Sequence, residues 1–134
     1  MITGIYGINV AVKDLEAAIK NYEVVFGVKS EPIPETGFAF RGLRGAKISV
    51  NGFNINLITS DNPDTAIAKF LKEREGFFLL SVTSDEIEAD LEALAAKGLK
   101  PLLSNSAKGE FGAVNFYHPK LMNGVQLELY QPKT

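Results

Sequence analysis

The sequence predicts a mixed α+β fold made of two copies of one strand–helix–strand unit, related by pseudo-twofold symmetry. Three observations predict it. Two short apolar, β-branched runs, IYGINVAV at 5–12 and FFLLSVT at 77–83, each lead into a helical stretch. Each helical stretch has an aspartate near its start and a glycine near its end. Asp14 and Asp85 are 71 residues apart, and so are Gly27 and Gly98.

Residues 5–12 read as a strand. Leu15, Ala18, Ile19, Tyr22, Val25 and Phe26 then recur at three- and four-residue spacing, which predicts one apolar helix face over 15–26. Asp14 stands where an acidic side chain can accept from free helix N–H groups, and Gly27 where a helix can end left-handed. Strands follow near 28–33, 38–42, 46–50 and 53–59, separated by Gly, Pro and Asn turn signals. After Pro63 comes a second helical segment, 64–74. The pattern then restarts with the strand 77–83. Ser84 or Asp85 is expected to cap a helix in which Ile87, Leu91 and Leu94 share a face, and Gly98 to end it. Strands near 99–103, 112–117 and 124–130 complete the chain. The expected organisation is one domain over 1–134. Its first module covers about 4–60, a linker helix about 63–75, and the second module about 76–131.

Composition narrows the function classes. At 134 residues the chain can bury a core without covalent staples, and 46% hydrophobic with 22% charged residues is an ordinary globular mixture. A net charge of -2 without long like-charged runs argues against nucleic acid and anionic membranes as partners. With 0 cysteines, disulfides, thiolate metal sites and cysteine nucleophiles are excluded. No apolar run reaches membrane-spanning length, and the start of the sequence lacks the pattern of a secretory signal, so the cytoplasm is the expected location.

Few residues suggest chemistry. In VQLELYQ, Val125, Leu127 and Leu129 alternate with Gln126, Glu128 and Tyr130, so Glu128 either enters a cavity or faces water. Inside a cavity it would serve as a hydrogen-bond acceptor or catalytic base, and desolvation would raise its pKa. Asn54 and Asn56 share a strand face opposite Phe53, Ile55 and Leu57, with the same two readings. His118 and Lys120 sit in a His-Pro-Lys turn and read mainly as structural. Arg41 and Arg44 flank Gly42; they form either a carboxylate or phosphate fork or a charged hairpin. The segment SNSAKGEFGA at 104–113 reads as a surface loop or a flap. The aromatic residues Tyr6, Phe38, Phe40, Phe53, Phe77, Phe78, Phe111, Phe116, Tyr117 and Tyr130 are core, with some free to line a pocket. No phosphate-binding glycine loop and no serine–histidine–acid arrangement is present.

The opening stretch GINVAVKDLEAAIKNYEVVFGVK and the closing stretch NFYHPKLMNGVQLELYQP together resemble the vicinal oxygen chelate superfamily of glyoxalases, epimerases, dioxygenases and bleomycin-binding resistance proteins. Asp14, Leu15, Ala18, Tyr22 and Gly27 fit its first motif, and the second stretch resembles the epimerase-like branch. The resemblance implies two βαβββ modules whose curved sheet surrounds a cup-shaped cavity, with metal ligands on the first and fourth strand of each module. Those positions are Gly7, Asn56, Leu79 and Glu128 here, and Gly7 to Leu79 and Asn56 to Glu128 are each 72 residues. Gly7 and Leu79 stand where epimerase-like members carry histidine, and neither can ligate. The expectation is therefore a small-molecule-binding protein with no metal or other cofactor. Its cavity would be lined by Gly7, Asn54, Asn56, Leu79, Glu128 and Tyr130. The alternatives are an isomerase, lyase or dioxygenase that uses Glu128 as catalytic residue, with or without a divalent metal held by Glu128 and Asn56, and a purely structural module. A homodimer is the state the resemblance implies.

Overall fold

The computed structural model describes residues 1–134 as three α-helices and eight strands. The chain divides into two compact units, Gly7–Phe78 and Met1–Tyr6 with Leu79–Thr134. The first strand, β1 (Ile2–Ala11), contributes to both, its early residues to one and its later residues to the other.

In the first unit β1 is followed by α1 (Leu15–Phe26), β2 (Glu31–Ile33), β3 (Leu43–Val50), β4 (Phe53–Ser60) and α2 (Ala66–Glu73). The strands are ordered β2-β3-β4-β1, with β1 parallel to β4 and the other pairs antiparallel. Helix α1 starts where the sequence predicts, because Asp14 Oδ1 accepts from the Ala17 N–H at 3.1 Å. It stops where Gly27 turns left-handed at φ 67° and returns its N–H to the Glu23 carbonyl. Leu15, Ala18, Ile19 and Tyr22 pack on Val10, Val12, Ile48, Ile55 and Leu57. Each large aliphatic side chain sealed there contributes about 2 kcal/mol. The predicted apolar stripe ends one turn early, since Val25 is 75% and Phe26 40% exposed. Thr65 caps α2 by accepting from the Ala68 N–H, and Ile67, Phe70 and Leu71 close over Ala11 and Ile58.

The strand expected at 38–42 does not form. A 3-10 turn at Glu35–Gly37 and a left-handed Gly42 at φ 90° break the extended run, and Phe38 folds onto the α2 cluster. Pro34 and the two glycines decide this region against the aromatic residues' strand preference.

The second unit contains β5 (Gly76–Ser84, entering at Leu79), α3 (Ile87–Ala96), β6 (Ala107–Gly109), β7 (Gly112–Tyr117) and β8 (Gln126–Pro132). The order is β5-β8-β7-β6, with β5 parallel to β8. Ile87, Leu91 and Leu94 of α3 pack on Val82, Ala113, Tyr117, Leu127 and Leu129. Neither Ser84 nor Asp85 caps this helix. The Ser84 hydroxyl accepts from the Glu86 N–H at 3.2 Å, one step too early, and the Ile87 N–H donates instead to Gln131 Oε1 at 2.8 Å. No strand forms at 99–103. The 104–113 segment is not a plain loop either, because it carries β6 and turns into β7. Asn115, buried in β7, holds its approach by exchanging hydrogen bonds with the backbone of Leu103, each at 3.1 Å.

The two parallel pairs keep one offset. Gly7 faces Asn54 and Leu79 faces Gln126; Ala11 faces Ile58 and Thr83 faces Tyr130. Each member is 72 residues from its counterpart, so Glu86, not Asp85, is the structural equivalent of Asp14.

Candidate functional site

Each sheet buries one face under its helix, and the alternation of strand side chains puts the remaining residues on the other face. In the first unit Ile8, Val10, Ile48, Val50, Ile55 and Leu57 belong to the α1 core. Asn9, Lys47, Ser49, Asn54 and Asn56 therefore lie on the open face, together with Gly7. The register arranges them in two rows, Lys47–Asn56–Asn9 and Ser49–Asn54–Gly7. The amides meet their needs largely among neighbours. Asn56 Nδ2 donates to Asn9 Oδ1 at 3.1 Å, and the Ser49 hydroxyl donates to Asn54 Oδ1 at 2.6 Å. Asn56 Oδ1 is buried without a partner. Lys47 Nζ lies 3.8 Å from Glu31.

Gly7 allows the tight approach of β1 and β4. A Cβ at this position would stand 1.8 Å from the Asn54 carbonyl oxygen, and φ is 154°. Any side chain there requires the β4 backbone to move.

In the second unit Val82, Leu127, Leu129, Ala113 and Tyr117 face α3. Leu79, Ser81, Thr83, Gln126, Glu128, Tyr130, Val114 and Phe116 occupy the opposite face, and Ser81, Glu128 and Phe116 form one row. Leu79 and Ser81 are 3% and 1% exposed. Glu128 keeps limited solvent access, but protein atoms crowd it from all sides. Burial pushes its carboxyl pKa up to about 7, and the neighbouring Ser81 hydroxyl offsets this only in part. That hydroxyl makes no hydrogen bond of ordinary geometry. The Tyr130 hydroxyl donates to the Phe111 carbonyl at 3.0 Å, and its ring meets Tyr6 edge-on with centroids 5.2 Å apart. Burial, and secondarily the charge of Glu128, raises the Tyr130 pKa.

The six cavity residues expected from sequence thus fall into two sets. Gly7, Asn54 and Asn56 share one face in the first unit, and Leu79, Glu128 and Tyr130 share one face in the second. Asn9 and Ser81 join these faces and were not expected. They are themselves 72 residues apart, so the repeat that locates Asn56 and Glu128 also contains them.

The remaining candidates have structural duties. His118 Nδ1 accepts from the Lys120 N–H and caps the turn after β7. Arg44 Nε pairs with Asp61 at 2.7 Å on the surface, so it forms no fork with Arg41.

A family model described as Glyoxalase/Bleomycin resistance protein/Dioxygenase superfamily matches residues 4–120. No curated protein matches the chain significantly. Among solved structures, the chain is similar to methylmalonyl-CoA epimerase from Mycobacterium tuberculosis. That match has 29% identity and a TM-score of 0.87, over 99% of this chain and 90% of that one. A substituted Streptomyces coelicolor methylmalonyl-CoA epimerase in complex with 2-nitronate-propionyl-CoA matches at 26% identity and a TM-score of 0.86, over 100% and 97%. A methylmalonyl-CoA epimerase in complex with methylmalonyl-CoA and NH4+ matches at 25% and 0.87, again over 100% and 97%. The extent of the family match and the two βαβββ units give the same conclusion: the chain belongs to the glyoxalase/bleomycin resistance protein/dioxygenase superfamily.

Proposed function

We propose that this chain is a small-molecule-binding protein of the glyoxalase/bleomycin-resistance type that works without a catalytic metal at the positions where the resemblance puts one. The observation that carries this reading is the environment of Gly7. A ligating side chain there would collide with the Asn54 carbonyl, 1.8 Å from where its Cβ must lie. Leu79, the counterpart position, is buried and apolar. One carboxyl at Glu128 and one amide at Asn56 do not make the three-ligand set a catalytic transition-metal ion needs.

A thermal-shift screen against apolar, aromatic, peptide-like and acyl-thioester compounds tests the binding reading. Acyl thioesters belong in the panel because two of the similar epimerase structures are complexes with CoA derivatives. A panel in which nothing stabilises the fold counts against binding. Elemental analysis of protein purified without chelators tests the metal-free reading. Stoichiometric metal that disappears in Glu128→Ala and Asn56→Ala overturns it. The same preparations, sized by light scattering, test the proposed homodimer, and fractionation of cells tests the cytoplasmic location.

One observation favours a second reading, in which the chain is an enzyme that moves a proton. A carboxyl titrating near neutrality is suited to acid–base work. In that case Glu128 is the catalytic group, and Glu128→Gln abolishes turnover while leaving ligand affinity within a few fold.

A further inference from the structure

We infer that Ser81 and Glu128 form the ligand-reading pair of the second unit, matched to a neutral group that both donates and accepts a hydrogen bond, a carboxamide in particular. The inference rests on the small-molecule-binding reading and narrows its ligand class.

Ser81 is 1% exposed, and its hydroxyl makes no hydrogen bond of ordinary geometry, only an interaction with the neighbouring Glu128 carboxyl. A buried hydroxyl in that state wants a partner from outside the chain. It stands directly beside Glu128 on neighbouring parallel strands, which places the two side chains about 4.8 Å apart at their roots. Glu128 keeps the limited solvent access that a ligand needs to reach the pair. Two other polar groups of this face are already engaged. Tyr130 donates to the Phe111 carbonyl, and the Thr83 hydroxyl is paired with Thr3 at 2.8 Å.

The surroundings set the charge of the ligand. Leu79, Val114, Phe116, Gln126, Thr83 and Tyr130 share the face with the pair, and none carries a cation. An anionic ligand therefore finds no countercharge. A cationic one must shed its water for a single crowded carboxyl. A carboxamide meets both partners while remaining neutral. Its N–H donates to a Glu128 oxygen, and its carbonyl accepts from the Ser81 hydroxyl. The edge-on Tyr6–Tyr130 pair supplies flat apolar surface on the same side, which favours an aromatic carboxamide.

The test compares benzamide with acetophenone, which has the same outline and can only accept. Titration calorimetry on the intact chain is expected to show benzamide binding about tenfold more tightly. In Glu128→Leu, which removes the acceptor that only the benzamide N–H reaches, the preference falls to near one. Ser81→Ala removes the donor to the carbonyl of both probes and weakens both by a similar factor, and Ser81→Thr, which keeps the hydroxyl, restores part of that loss. If Ser81→Ala loses its fold, Ser81→Cys, a weak donor of similar size, carries the same comparison. Equal affinities in the unchanged protein, a preference that survives in both Glu128→Leu and Glu128→Met, or affinities that Ser81→Ala leaves unchanged overturn the inference and leave the binding reading standing. If neither probe binds and the wider panel is also silent, both fall together.

Discussion

In the first module the face turned away from the helix carries side-chain amides that mostly satisfy each other, Asn56 with Asn9 and Ser49 with Asn54. In the second module the same register carries a crowded carboxyl beside a hydroxyl that makes no hydrogen bond of ordinary geometry. The backbone repeat is the same: β1 and β4 pair with the offset that β5 and β8 repeat 72 residues later. What differs is the chemistry placed on it. A duplicated backbone fixes positions, and the chemical roles of those positions can diverge in each copy without disturbing the sheet.

The widest separation between the modules is expected from histidine substitutions at the paired positions. Gly7→His must displace the β4 backbone, and we expect it to cost more than about 4 kcal/mol or to abolish folding. Leu79→His places a polar ring where a buried Leu packs but requires no backbone shift, so a loss of about 2–3 kcal/mol is expected. Urea denaturation of both variants measures the gap. Equal losses would mean that the close approach at Gly7 is unimportant.

The next effect belongs to the second module. The Glu128 carboxyl titrates near 7 in the fold, against 4.5 for an unperturbed glutamate. The folded chain therefore holds this proton more tightly than the unfolded chain. Its stabilising contribution is complete below about pH 4.5, declines as pH rises, and is gone above about 7, a change of up to about 3 kcal/mol. Glu128→Gln should flatten that part of the stability profile and exceed the unchanged protein in stability at pH 8. The amide face of the first module should produce no such slope, so Asn56→Asp is the informative converse. It introduces a carboxyl at the equivalent position and is expected to create a decline of the same sign.

The smallest contrast lies at the helix starts. Asp14→Ala removes a hydrogen bond to the Ala17 N–H and should cost about 1 kcal/mol. Asp85→Ala removes only an exposed pairing with the Met1 amino group, and a change within about 0.5 kcal/mol is expected. Thermal melts of the two variants side by side read the difference.

These contrasts also explain what the sequence made legible. Helix α1 was readable to the residue because its signals are local: an aspartate cap, a periodic face and a stopping glycine. The start of α3 was not, because its first N–H is held by Gln131, 44 residues away, and no local pattern reports such a partner. The 71-residue spacing of aspartates and glycines led to the right architecture through a pair of residues that are not structural equivalents. The 72-residue spacing drawn from the family positions matches the strand register. The missing strands at 38–42 and 99–103 share a cause. Proline and glycine set the backbone there; Phe38 and Leu99 fold into side-chain clusters, while Phe40 and Leu102 stay exposed. Glu128 was legible as a candidate from alternation and family position. Ser81 was not, because a serine within FFLLSVT carries no mark of being buried without a hydrogen bond of ordinary geometry until its neighbours are in place.

The closeness of β1 and β4 at Gly7 also bears on descent. Where two strands have settled against a residue with no side chain, a mutation that introduces a larger one meets the neighbouring strand before it can offer any new chemistry. Any path to a histidine at this position therefore runs through a backbone adjustment at Asn54, and an engineer who wants a metal centre here would need to remodel β4 first. The second module has no such lock at Leu79. Of the two halves of the duplication, it is the one still open to acquiring a new side-chain ligand by a single substitution.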